Sequence, residues 1–169
     1  MRRHVASPNT EYMTRLVEYS VFEWQVAPML SQKLRYTIRA IQHLADHWGK
    51  GVVSMGEIAD KQNIPRKFLA VILSELSREG LVVSHRGRGG GYELALAPVD
   101  IRYGDIVRIM RGSLALVPCA SRYAHETCAN CVSEETCRLR SLMLQVRDQT
   151  AEVLDRVTFA DPIPLQPVF

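Results

Sequence analysis

Residues 54–96 read SMGEIADKQNIPRKFLAVILSELSREGLVVSHRGRGGGYELAL, and this stretch decides the fold. Ser54 followed by Glu57 is a capping box, which opens a short helix through Ile58 and Ala59. Asn63-Ile64-Pro65 makes a turn, and Pro65 suits the first position of a following helix. That second helix carries Phe68, Leu69, Ile72, Leu73 and Leu76 on one side and stops at Gly80, a residue that tolerates the left-handed backbone of a helix end. Two short helices joined by a tight turn form a helix-turn-helix. Residues 81–84 then read as a strand, Gly87 to Gly91 as a turn, and residues 92–96 as the partner strand. A hairpin placed directly after the recognition helix is a wing.

Working outward, Ser31 caps an earlier helix whose apolar positions Leu34, Ile38, Ile41, Ala45 and Trp48 recur at helical spacing, with Gly49 and Gly51 ending it. Val52 and Val53 form a short extended link. Residues 1–28 read as an appendage. Met13, Leu16, Val17, Ser20 and Trp24 share one side of a short helix bracketed by Pro8 and Pro28, and Met29-Leu30-Ser31 makes a natural start for the domain proper. On the other side, Pro98 and Asp100 precede a helix with Ile101, Ile106, Val107, Ile109 and Met110 on its apolar side. A cysteine loop occupies residues 119–137, and a long helix runs from about Glu134 to Thr158. The expected architecture is mainly α with a small β wing: a winged helix-turn-helix with a long C-terminal dimerisation helix. The expected divisions are an extension at 1–28, a DNA-binding domain at 29–98, a connecting helix, cysteine loop and dimer helix at 99–161, and a tail at 162–169.

All 4 cysteines of the 169-residue chain fall in that loop, as Cys119, Cys128, Cys131 and Cys137. The spacing C-x8-C-x2-C-x5-C gathers four soft ligands, which suits an iron–sulfur cluster (2Fe–2S or 4Fe–4S) or a zinc ion. A zinc ribbon shows two close cysteine pairs, whereas only Cys128 and Cys131 form one here. The wider gaps on either side suit a bulkier cluster wrapped by a loop, and zinc is the lesser alternative. A metal-free thiol switch at the same cysteines also stays open. No apolar run approaches the roughly 20 residues of a membrane span. Glu11, Arg15, Glu18 and Glu23 interrupt any apolar leader. A cytoplasmic location is therefore expected, where thiols stay reduced and metal ligation outweighs disulfide bonding.

The net charge is only +3, but its distribution is uneven. Between residues 62 and 92, Arg66, Lys67, Arg78, Arg86 and Arg88 face only Glu75 and Glu79, an excess that suits a polyanion. In a winged helix the start of the second helix meets the base edges, which here means Pro65, Arg66, Lys67 and, one turn on, Ala70. Arg66 can fork onto a guanine or clamp a phosphate, and Lys67 suits a phosphate. At the wing, Gly89 and Gly90 allow close approach to the DNA backbone while Arg86 and Arg88 point toward a minor groove. Along the last helix, Leu139, Leu142 or Met143, Val146, Thr150, Val153 or Leu154, and Val157 step at three- and four-residue intervals. The expected seam is Leu139, Leu142, Met143, Val146, Val153 and Val157, buried against a second copy of the chain. The expected partners are thus a double-stranded DNA operator and a homodimeric twin, with no membrane and no small-molecule substrate.

Residues 30–40 (LSQKLRYTIRA), 64–69 (IPRKFL) and 86–95 (RGRGGGYELA) resemble the winged-helix regulators typified by IscR, NsrR and CymR, over residues 29 to about 161. The resemblance implies a cytoplasmic homodimer on near-palindromic operators. In many members of that family a cluster on the cysteine loop changes DNA affinity, and some members carry none. Cluster-bearing members usually show three cysteines with an outside ligand. Cys119, Cys131 and Cys137 match that pattern, leaving Cys128 as a fourth thiolate, with His125 and Glu126 in the loop as substitutes. Arg35 stands where some members have a ligating carboxylate, and it cannot ligate. The implied function is a redox-, iron- or nitric-oxide-responsive transcriptional regulator. An enzyme is disfavoured, since an all-thiolate metal leaves no open position for substrate. A zinc-stabilised interaction module without DNA binding leaves the basic wing unexplained.

Overall fold

A computed structural model of the chain is described here over residues 30–164; the expectations for residues 1–28, and for most of the 162–169 tail, lie outside the described residues. Among the described residues there are five α-helices and one two-stranded antiparallel sheet: α1 Gln32–Asp46, α2 Met55–Gln62, α3 Arg66–Arg78, β1 Val82–His85, β2 Gly91–Leu94, α4 Tyr103–Arg111 and α5 Arg138–Arg156. Single 3-10 turns at Pro98–Asp100 and Pro118–Ala120 lead into α4 and the cysteine loop. No helix among the described residues is long and apolar enough to cross a membrane.

The helix-turn-helix closes by local chemistry. Ser54 Oγ accepts the Glu57 N–H at 3.1 Å, satisfying one of the donors that a helix start leaves open. Asn63 takes the left-handed conformation, φ +48°, and returns its N–H to the Ala59 carbonyl. Helix α3 begins at Arg66, so Pro65 sits one position earlier than expected, at the cap. Leu69, Ile72, Leu73 and Leu76 then lose all exposure, each worth about 1.5–3 kcal/mol relative to water. Phe68 departs from the expectation: it is 57% exposed, because it falls off the 69/72/73/76 stripe, and it meets Tyr36 edge-on with ring centres 6.4 Å apart.

Helix α1 buries a face rotated from the one its apolar residues suggest. Leu34, Thr37, Ala40, Ile41, His43 and Leu44 point inward, while Ile38 and Ala45 sit at the core's edge and Trp48 is exposed. Thr37 is tolerated inside because its hydroxyl donates to the Lys33 carbonyl one turn back, at 2.9 Å. Likewise Ile109 of α4 faces outward.

The wing pairs Val82 with Leu94 and His85 with Gly91. A third extended segment joins it, since Val53 and Tyr92 exchange both backbone hydrogen bonds, at 2.9 and 2.8 Å. The Val52-Val53 link is thereby the wing's anchor to the start of α2. At the C-terminal end α5 is shorter than expected, starting at Arg138 rather than Glu134 and ending at Arg156. Val157 lies past it: its carbonyl accepts the Tyr103 N–H at 3.1 Å, and Phe159 stacks on Tyr103 with ring centres 4.1 Å apart. That return ties the end of α5 to the start of α4.

Candidate functional site

The start of α3 and the wing both present exposed cationic side chains. Pro65, Arg66, Lys67, Ala70, Arg86, Arg88 and Gly89 are exposed and Gly90 partly so. Ala70 and Arg86 line a single groove of about 460 Å³ between the outer side of α3 and the hairpin. Ser74, Ser77 and Ser84 line it as well, uncharged hydroxyls that a pattern of cations in the sequence does not mark. The Ser77 hydroxyl is buried without a hydrogen-bond partner, a vacant polar group at the floor of the groove. Arg66 stands 3.5 Å from Asp60, both well exposed, a contact too weakly held to keep the guanidinium from a phosphate.

The wing's glycines have a structural cause of their own. Gly87 and Gly89 have φ of +102° and +81°, and a Cβ on Gly90 would stand 2.3 Å from the His85 carbonyl oxygen. Gly89 and Gly90 are therefore required by the hairpin whether or not DNA is present. The cationic character rests on Arg86 and Arg88.

The four cysteines, all free thiols, line one pocket of about 360 Å³ together with Val117, Glu134 and Leu139. Cys119 sits in the 3-10 turn and is buried. Cys128 and Cys131 flank a turn closed by the Cys131 N–H on the Cys128 carbonyl at 3.1 Å, with Asn130 left-handed at φ +61°. Cys137 caps α5, its Sγ accepting the Arg140 N–H at 3.4 Å. The Cys119 and Cys128 sulfurs lie 3.4 Å apart. That contact, and then burial, push the Cys119 thiol above its ordinary value. His125 and Glu126 do not line the pocket; His125 instead pairs with Glu134 at 3.0 Å. The Glu134 carboxyl is held below the usual carboxylate range by Thr127 first and then by His125.

Two arginines fasten this loop to α5. Arg140 donates to the Cys119 carbonyl at 3.2 Å and Arg147 to the Ala120 carbonyl at 2.6 Å. Further along, Arg108 of α4 grips Asp155 of α5 with two bonds of 2.7 Å. A Cβ on Gly104 would fall 1.9 Å from the Asp155 carboxylate, so only glycine admits this pair. The opposite side of α5 has no buried contact among the described residues. None of its residues is buried, and Leu139, Leu142 and Val153 are more than half exposed. With half-buried Val146 and exposed Gln149 they recur at intervals of three and four, the spacing of a coiled-coil seam. Met143 lies on the flank of that stripe, half-buried, and Val157 lies outside the helix.

The donor set fits a group ligated by sulfur. Four thiols border one space that would hold more than a single ion. Among the described residues, the side chains already close enough to share one ion do not include the cysteines, whereas a zinc centre draws its four sulfurs to about 2.3 Å from one point.

A family profile described as "Rrf2: Iron-dependent Transcriptional regulator" matches residues 30–164. The chain is 36% identical over 136 residues to an HTH-type transcriptional regulator of Rhodobacter capsulatus described as rrf2-like, covering 79% of this chain and 91% of that one. It is 33% identical over 132 residues to the HTH-type transcriptional regulator CymR of Bacillus subtilis, covering 78% and 87%. Superposition on the solved structure of B. subtilis CymR, named there the global cysteine regulator, gives a TM-score of 0.64 with 33% identity, over 78% of this chain and 93% of that one. The structure of T. potens IscR gives 0.61 with 33% identity, over 78% and 83%.

Proposed function

The chain belongs to the Rrf2 family of DNA-binding transcriptional regulators, and from that premise we propose that it works as a homodimer whose hold on an operator depends on an iron–sulfur cluster in the four-cysteine pocket. The observation that carries this reading is that pocket: Cys119, Cys128, Cys131 and Cys137 border one space of about 360 Å³, and one of them caps the helix bearing the unpartnered apolar seam. When bound, such a cluster would be held by these thiolates and would supply a redox-active, iron-dependent centre.

The chain's own residues would carry the response. Ligation of Cys137 engages the sulfur that caps α5, and ligation of Cys119 engages the turn that Arg140 and Arg147 hold. Through the Arg108–Asp155 pair, a change in the set of α5 reaches α4, which packs on α1. In a dimer joined along Leu139, Leu142, Val146 and Val153, with Met143 at the flank, that movement alters the distance between two copies of α3. Half-sites lie one helical turn apart, so a small change in spacing weakens contacts on both at once. In this reading residues 29–98 are the reading head and residues 99–161 the sensor and dimer arm. Pro65, Arg66, Lys67, Ala70, Arg86 and Arg88 touch DNA in the cytoplasm, with Gly89 and Gly90 shaping the tip.

One observation favours a second reading. The Cys119 and Cys128 sulfurs are 3.4 Å apart, close enough for a small adjustment to join them at the roughly 2.05 Å of a disulfide, which would make the same loop a metal-free thiol switch. Iron, sulfide and zinc analysis with absorption and EPR spectra of protein purified without air separates the two. The cluster reading expects iron and sulfide in near-equal amounts and a visible chromophore that Cys131→Ala removes. Colourless, iron-free protein whose DNA binding falls on reversible oxidation of Cys119 and Cys128 overturns it in favour of the thiol switch.

A further inference from the structure

Well ahead of the cysteine loop in sequence, the end of α1 meets the start of α2 at three side chains that the DNA-binding surface does not use. His43 and His47 lie one helical turn apart, their ring centres separated by 4.5 Å. Glu57 Oε1 stands 3.7 Å from the Nε2 atoms of both. Their ligand atoms all fall within 4.8 Å of one another. A tetrahedral ion with bonds of about 2.0–2.1 Å holds its ligands about 3.3–3.4 Å apart, so only a few tenths of an ångström separate the carboxylate contacts from that geometry.

The protonation pattern points the same way. His47 Nδ1 lies 2.8 Å from the His43 carbonyl, which fixes the proton on Nδ1 and leaves the Nε2 lone pair directed at the cluster. A histidine whose other nitrogen donates to a backbone carbonyl is the usual arrangement of a metal ligand. The His43 side chain is 9% exposed, and its Nε2 is buried with no hydrogen-bond partner, an unsatisfied polar atom that ordinarily carries a penalty. Gln62 stands 3.3 Å from His43 Nδ1, and its amide, turned over, accepts the proton that Nδ1 bears when Nε2 binds metal. His47 and Glu57 are both partly open to solvent, which gives an ion a way in.

We propose that His43, His47 and Glu57 form a second metal site, separate from the cysteine pocket, that takes a divalent cation of the zinc class with water in its fourth position. Two imidazoles and one carboxylate are borderline-soft ligands that suit zinc, cobalt or nickel over calcium or magnesium. The ion joins the last turn of α1 to the first turn of α2, the leading helix of the helix-turn-helix. Its occupancy therefore stiffens the setting of the DNA-reading pair against the body of the domain.

Cobalt(II) titration of the reduced, full-length protein tests the site, because thiolate ligands give charge-transfer absorption and nitrogen and oxygen ligands do not. The wild-type chain is expected to bind one cobalt with d–d bands alone, apart from any bound at the thiolates, and zinc is expected to displace it. His47→Gln and Glu57→Gln both keep the fold, since each side chain is partly exposed and the Ser54 cap uses only the Glu57 backbone. Each is expected to weaken the d–d component by more than the roughly 10–100-fold typical of an outer-shell partner, with thiolate absorption unchanged. Equal cobalt binding by all three proteins, or binding that carries thiolate bands throughout, overturns the site.

Discussion

Replacing Gly91 by alanine should release the wing, and the structure fixes the magnitude. A Cβ at Gly91 would stand 2.5 Å from the Val53 carbonyl oxygen and 2.8 Å from its carbonyl carbon. Both are backbone atoms, so no rotamer change relieves the clash. Residues 53 and 92 must part, giving up two hydrogen bonds of 2.9 and 2.8 Å, at a net cost of about 1 kcal/mol each. Val53, only 3% exposed, then loses part of its burial, for about 1 kcal/mol more. The expected loss is about 3 kcal/mol in all. Gly80→Ala is the control: Gly80 has φ +72° with nothing near its missing Cβ, so only the left-handed backbone is penalised, by about 1 kcal/mol. Urea unfolding at one fixed protein concentration measures both, and DNA affinity should fall in Gly91→Ala alone. Should Gly91→Ala prove no more harmful than Gly80→Ala, the wing is not anchored through Val53 and the reasoning fails.

Three further outcomes are expected. Removing Arg86 and Arg88 together should flatten the plot of log affinity against log salt by about 1.8, two phosphates at roughly 0.9 each; an unchanged slope would place the wing off the DNA. Leu142→Arg, at a position 52% exposed within the chain, should yield a folded monomer in sedimentation, whereas a surviving dimer would put the seam elsewhere. The hydrogen bonds from Arg108 hold the Asp155 carboxyl below its usual range. Its contribution is therefore complete above the unfolded value of about 3.9 and vanishes as pH falls through the folded one. Asp155→Asn should cost about 1 kcal/mol at neutral pH, allowing for partial exposure, and should flatten the acid limb of the stability profile; a parallel limb would refute the pair's role.

The helix-turn-helix was legible because its signals are local: a serine cap, a left-handed turn residue, a proline, and then glycines. Four residues of α3 step inward at helical spacing and need no tertiary information. Packing was harder to read. In α1 the apolar letters drew attention to Ile38, Ala45 and Trp48, yet Thr37 and His43 are the buried ones, since a hydroxyl bonded to its own helix and a neutral imidazole can both be enclosed. Nothing in the apolar stripe of α5 marks Cys137 as its cap or Val157 as the point where the chain turns back to α4. The serines that line the groove beside Arg86 carry no charge, so the basic pattern of the sequence gives no sign of them. The His43, His47 and Glu57 cluster spans two helices, and no spacing rule joins a residue of α1 to one of α2.

The most direct test compares operator affinity of one anaerobic preparation before and after its iron is removed, on the same duplex at the same salt. Control of DNA binding through the cysteine pocket predicts that the two forms differ by at least tenfold, and that the difference disappears in Cys137→Ser, where the sulfur that caps α5 is gone. Identical affinities for the loaded and stripped forms would contradict it.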